Sequence, residues 1–181
     1  MENVFNVFKD EKRNSFQWNN LGDIKHGRGD LGEEMPVVVY RLMQFTLLDA
    51  LSSDLGLEKT NGYFRAAGYL AGSEFAKNVL NLDLDFDGFI SHLQEALKRL
   101  KIGILRMEFF NPEDGMIVLT VAEDLDCSGL PITNESVCVY DEGFISGILE
   151  LYTGKKYNVR ETDCWATGDR VCRFKASPVA G

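Results

Sequence analysis

Three of the chain's four cysteines fall inside residues 138–174, CVYDEGFISGILELYTGKKYNVRETDCWATGDRVCRF, and this stretch limits the fold more than any other. Cys164 and Cys172 flank WATGDRV, whose Thr-Gly-Asp is turn chemistry, and the runs 156–163 and 170–175 on either side are rich in β-formers. They read as two antiparallel strands, so the two thiols meet across a hairpin. Glu161 stands three residues before Cys164. In a regular strand that step puts the two on opposite faces, so both can reach one site only if the chain bends near Asp163. Upstream, Phe144, Ile145, Ile148, Leu149 and Tyr152 recur at helical spacing and Gly154 supplies a stop. Cys138 therefore sits at a helix N-terminus, where the partial positive charge favours a thiolate. Three thiolates and a carboxylate suit four-coordinate structural zinc. The same spacing also suits buried apolar cysteines or a disulfide between two of the three.

The stretch resembles the C-terminal signature of the 4-vinyl reductase domain family. The matching features are Cys138 before a glycine-bearing helix with Gly143 and Gly147, Glu161-Thr-Asp-Cys164, a loop with Gly168 and Asp169, and Cys172-Arg-Phe174. Further upstream, Leu31-Gly32 with Pro36-Val37 and Tyr40-Arg41-Leu42 is similar to the small prokaryotic members. That family also supplies the sensory module of phenol- and xylene-responsive NtrC-type activators. The resemblance implies zinc on Cys138, Glu161, Cys164 and Cys172. It implies as well the fold of Golgi tethering-complex subunits and nitric-oxide-sensing haem domains, which commonly dimerise around an apolar cavity. Cys127, in DCSGLP, is not required by that zinc set and reads first as a buried or loop residue, with an extra ligand or a reactive thiol as the alternatives.

At 181 residues the chain fits one domain, 1–181, with 1–14 as a possible N-terminal arm. A net charge of −9 argues against a nucleic-acid partner. The longest apolar run, 35–51, is broken by Arg41, Gln44 and Asp49, which argues against a membrane span. The N-terminal residues lack a signal-peptide core, so a cytoplasmic location is expected, where thiols stay reduced.

Taken in order, the chain predicts a helix from about Met35 with Pro36 in its first turn. Apolar residues from Val37 to Leu51 surround that helix, which predicts burial on most sides. A second helix over 61–79 carries Gly68, Gly72 and several alanines, so close helix packing is expected there. The acidic NLDLDFDGF lacks a calcium loop's twelve-residue frame, and Asp85 reads as the N-cap of a third helix. Strands over 102–110 and 116–123 flank an NPEDG turn. The expected fold class is α+β: an antiparallel sheet of about four strands built from hairpins, with helices packed on one face.

The favoured function is a zinc-stabilised sensor or carrier that holds an apolar or aromatic molecule in an internal pocket. Tyr40, Phe45, Tyr63, Tyr69, Phe109 and Trp165 are the candidate lining. Four protein ligands leave no open metal position, so the zinc is expected to be structural and catalysis is not the leading expectation. Two alternatives stand beside it. One is a tetrapyrrole vinyl reductase or tetrapyrrole carrier, with His26 or His92 as possible ring ligands. It lacks any visible dinucleotide or flavin signature. The other is a dimeric interaction module without a ligand. A homodimer is expected in either case. His26 and Arg28, in a Gly-rich loop, also read as possible contacts to an acidic ligand group.

Overall fold

The computed structural model describes residues 16–179. The expected arm at 1–14 lies outside them. The chain separates into two units, 1–33 and 34–181. Within the first, a 3-10 turn at Trp18–Leu21 is followed by the short helix α1 (Ile24–Gly27). Asp23 caps α1, its carboxylate accepting from the His26 N–H at 3.0 Å. Arg28 donates to its own loop at Gly32 O, 2.8 Å away, and residues 16–33 bury nothing.

The second unit runs α2 (Val37–Leu55), α3 (Leu57–Val79), α4 (Phe86–Arg99), β1 (Ile104–Phe110), β2 (Ile117–Ala122), α5 (Val139–Thr153), β3 (Tyr157–Asp163) and β4 (Cys172–Pro178). The strands form one antiparallel sheet in the order β1-β2-β4-β3. This is the α+β architecture that the hairpin pattern predicts. Period-2 alternation decides its inner face: Ile117, Leu119 and Val121 of β2 pair with Ala176, Phe174 and Cys172 of β4, and all six are buried. The opposite face carries Arg173, which pairs with Glu108 and Asp163.

α4 packs on β1 and α5 on β3. Asp85 is the N-cap of α4, its carboxylate accepting from the Gly88 N–H at 2.9 Å, and Lys98 and Arg99 lie in the last turn, as the charge pattern predicts. Phe89 of α4 stacks on Tyr152 of α5 with ring centroids 3.8 Å apart. α3 then lies on α5 through two reciprocal glycine pairs. Gly68 and Gly72 face the Tyr140 and Phe144 carbonyls, and Gly143 and Gly147 face those of Arg65 and Tyr69. The buried Glu142 carboxylate locks the same crossing, accepting from Arg65, from Arg160 and from the Glu161 N–H.

α2 departs from expectation. Its apolar girdle predicts burial all round, yet Gln44 is its one buried residue, while Leu42 and Met43 are 61% and 62% exposed. The reason is topological. α2 rests on α3 along one side and on the turn after β2 at one end, and the described residues offer nothing further to cover it.

Candidate functional site

Four local structures bring four thiols together. Cys138 is the N-cap of α5. Cys172 opens β4 opposite Val121, on the sheet's inner face. Cys164 follows a register shift between Glu161 and Asp163, the bend that a three-residue step demands. It is then fixed in a tight turn, its N–H donating to the Thr167 hydroxyl at 3.1 Å and its carbonyl accepting from the Asp169 N–H at 3.1 Å. Cys127 comes from the turn after β2. There the Asp124 carboxylate accepts from the N–H groups of Asp126 and Cys127 at 2.9 and 3.1 Å, and so presents the thiol inward.

The four sulfurs lie within 4.8 Å of one another and all four residues are buried. Cys138 Sγ stands 3.9 Å from Cys164 Sγ and 3.8 Å from Cys172 Sγ, and Cys127 Sγ stands 3.0 Å from Cys172 Sγ. A tetrahedral zinc–sulfur site with bonds of about 2.3 Å has sulfur–sulfur edges of about 3.8 Å. The two edges from Cys138 match that spacing, while the Cys127–Cys172 edge is shorter, so these two sulfurs must part by somewhat under an ångström for all four to hold such an ion. The thiols interact strongly: hydrogen bonds from Cys127, Cys138 and Cys172 hold Cys164 well below the usual thiol range, while those same interactions push Cys138 upward.

Glu161, the fourth member of the expected set, lies at the edge of this cluster. Its Oε2 accepts from the Ser136 hydroxyl and from the Cys138 N–H at 3.2 Å, and its Oε1 is buried without a hydrogen-bond partner. Burial pushes this carboxyl up to about 7. Sequence reasoning ranked Cys127 as a ligand below a buried or loop residue because the zinc set implied by the resemblance does not require it, whereas the structure places it in the cluster. The clue was Asp124, three residues earlier, which makes a turn rather than an open loop. Asp124 and Asp141 carry a further pair of carboxylates to within 4.8 Å of Cys138 Sγ. Burial first, and then the neighbouring Asp126, push Asp124 up to about 7.

α2 connects to this region directly. Tyr40 Oη donates to Asp126 at 2.8 Å, and Arg41 donates to the carbonyls of Leu125 and Ser128 at 2.8 and 3.0 Å. Between α2 and α3 opens a cleft of about 240 Å³ walled by Tyr40, Met43, Tyr63, Phe64 and Tyr140. Gln44 lies at its base, and its Oε1 is buried without a partner. A second cleft of about 310 Å³, lined by Phe45, Leu48 and Val137, shares Gln44 and Phe64 with the first.

Of the six aromatic residues proposed from sequence, the structure gathers Tyr40 and Tyr63 in one cleft and places Phe45 in the adjoining one. Tyr69 faces a separate open groove between α3, α5 and β3. Phe109 is 46% exposed on the edge strand β1, and Trp165 is tied to the Leu130 carbonyl by its indole N–H. Phe64, Tyr140 and Gln44 went unnoticed, because helical spacing alone does not say which helix faces which. His92 Nδ1 accepts from the Asn81 N–H, and His26 lies in the 16–33 unit. No helix among the described residues is long and apolar enough to cross a membrane.

Comparison with known proteins agrees with this architecture. Residues 117–178 match the V4R domain. A protein of Methanocaldococcus jannaschii is 29% identical over 146 residues, 81% of this chain and 80% of its own. The transcriptional regulatory protein XylR of Pseudomonas putida is 28% identical over 153 residues, which cover 78% of this chain and 27% of XylR. Among solved structures, the phenol-responsive sensory domain of the transcription activator PoxR, solved with phenol, superposes with a TM-score of 0.63 at 16% identity, over 83% of this chain and 78% of that one. A trafficking protein particle complex subunit 3 from Naegleria fowleri, covalently bound to palmitic acid, gives 0.63 at 13% identity over 80% and 95%. At these identities the likeness is one of fold.

Proposed function

We propose that this chain, whose residues 117–178 match the V4R domain, is a small-molecule sensory or carrier domain, stabilised by a structural zinc and assembled as a homodimer. The observation that carries this reading is the aromatic cleft between α2 and α3, joined through Tyr40 and Arg41 to the turn that bears Cys127. Tyr40, Tyr63, Phe64 and Tyr140 give a flat ligand apolar walls, and the buried Gln44 amide offers one polar group, the usual balance of a small-molecule site. The fold shared with a phenol-binding sensory domain supports an apolar or aromatic ligand. Zinc is the metal best suited to buried thiolates in tetrahedral array, and Cys138, Cys164 and Cys172 are its ligands in this reading. With its positions filled by protein, the ion contributes stability rather than chemistry.

The test of the cleft uses phenol as probe. At a phenol concentration about 100 times its dissociation constant, binding adds about 2.7 kcal/mol and raises the melting temperature of the full chain by roughly 5–10 °C. Ala67 lines the cleft and is exposed, so Ala67→Trp fills the space without disturbing the core. That variant is expected to melt at an unchanged temperature and to lose the phenol response. An equal phenol shift in both proteins contradicts the site.

The exposed surface of α2 supports the homodimer. Its exposed Val38 and Leu42, one turn apart, with Met43 and Leu47 beside the cleft, leave apolar surface of the kind a second copy buries. Replacing Leu42 and Met43 together by glutamate is expected to convert a dimer into a monomer in sedimentation equilibrium, with little loss of monomer stability because both side chains are already exposed. A wild-type chain that sediments as a monomer at micromolar concentration contradicts it.

A further inference from the structure

We propose that Cys127, rather than Glu161, supplies the fourth bond to the metal, so that the ion fixes the 124–128 turn against which α2 rests. The inference builds on the reading of the thiol cluster as a zinc centre and names its coordination. Cys127 is fully buried, and its sulfur lies within 4.8 Å of those of Cys138, Cys164 and Cys172, close enough for a single ion to be shared by all four. The backbone beneath it is held on both sides: the Asp124 carboxylate takes the Cys127 N–H, and the Leu125 N–H donates to the Ile102 carbonyl at 2.9 Å. Those bonds aim the thiol at the cluster, and a metal bond there ties the turn to Cys138, Cys164 and Cys172.

Glu161 is occupied differently. Its Oε2 receives the Ser136 hydroxyl and the backbone N–H of Cys138, so it orients the residue that carries a ligand sulfur. Outer groups of that kind are a regular feature of metal sites. Its free Oε1 makes it the rival for the fourth position, and the two assignments differ in the atom bonded: sulfur from Cys127 or oxygen from Glu161.

The choice has a consequence beyond the metal. Arg41 and Tyr40 of α2 bond to the carbonyls and side chain of the 124–128 turn, and Tyr40 also walls the α2–α3 cleft. A metal bonded to Cys127 therefore holds the cleft's wall in place. By linkage, a ligand that settles that wall also tightens the metal. A metal bonded to Glu161 leaves the turn outside its coordination.

X-ray absorption on the zinc-loaded wild-type chain tests the assignment without any variant. The expected result is four sulfurs at about 2.3 Å and no oxygen. Three sulfurs and one oxygen overturn the proposal while leaving the zinc centre intact, and a chain that binds no zinc overturns both. Cobalt-loaded variants supply the second arm. Cys127→Ser is expected to lose about a quarter of the thiolate-to-cobalt absorption. Glu161→Gln is expected to keep the wild-type band shape, whatever affinity it loses. The reverse pattern overturns the assignment. For the link to α2, chelation of the wild-type metal is expected to speed amide exchange in residues 37–44, and unchanged exchange there overturns it.

Discussion

Gly72→Ala is expected to cost about 3 kcal/mol or more in urea unfolding, a large effect for one methyl group. A Cβ at this position would collide with the backbone of Phe144, including its carbonyl oxygen, and backbone cannot swing aside as a flexible side chain can. Gly143→Ala is its mirror image and meets the Arg65 carbonyl of α3. Gly62 supplies the control. It lies in the same α3, but nothing stands within 4 Å of the Cβ it would gain, so Gly62→Ala is expected to stabilise by about 0.5–1 kcal/mol. Opposite signs from one substitution in one helix separate helix propensity from helix crossing. If both variants are neutral, the close α3–α5 approach is wrong.

If the proposed zinc is bound, Cys164→Ser is expected to be at least as damaging, at more than about 4 kcal/mol, because loss of a metal belongs to the short list of changes that reach such values. The mechanism is additive in kind. In the proposed zinc centre the substitution removes a ligand, and it unties the bend after β3 from Cys138 and Cys172. Chelator added to the wild-type chain is expected to reproduce most of the loss in a melting experiment, because the free energy of binding a structural metal is folding free energy. The pH dependence has a definite sign. The metal binds thiolates, so loading releases protons, and acidification from about pH 8 to about pH 5 weakens it. Metal-dependent stability is therefore greatest on the alkaline side and fades as pH falls. A melting temperature that ignores both chelator and acid contradicts the clamp.

The elements that were legible share a cause: each is written in local chemistry. The Thr-Gly-Asp between Cys164 and Cys172 announces a hairpin, and the three-residue step from Glu161 to Cys164 announces the register shift that the strand contains. Asp85 and Gly154 announce helix ends, and the glycines at 68 and 72 announce a close helix contact, although not that Gly143 and Gly147 are their partners. What stayed hidden depends on what lies opposite. The apolar girdle of α2 tells how much surface wants covering and nothing about which element covers it, so burial was expected where the structure leaves Leu42 and Met43 exposed. Cys127 has no partner at a telling spacing. Its place in the cluster arises from β2–β4 pairing, which sets Val121 against Cys172 and brings the turn after β2 to the same end of the sheet. The cleft residues Phe64 and Tyr140 come from helices far apart in sequence, and Phe109 and Trp165 were drawn in by their chemistry alone.

The account rests on one ion gathering sulfurs from four separate segments. Native mass spectrometry of the full chain, purified without chelator, measures this most directly. The predicted spectrum shows one zinc per chain, retained under gentle conditions and lost on acidification, and shows none in a variant with Cys138, Cys164 and Cys172 all changed to serine. A wild-type chain that carries no zinc and takes up none when zinc is supplied contradicts it.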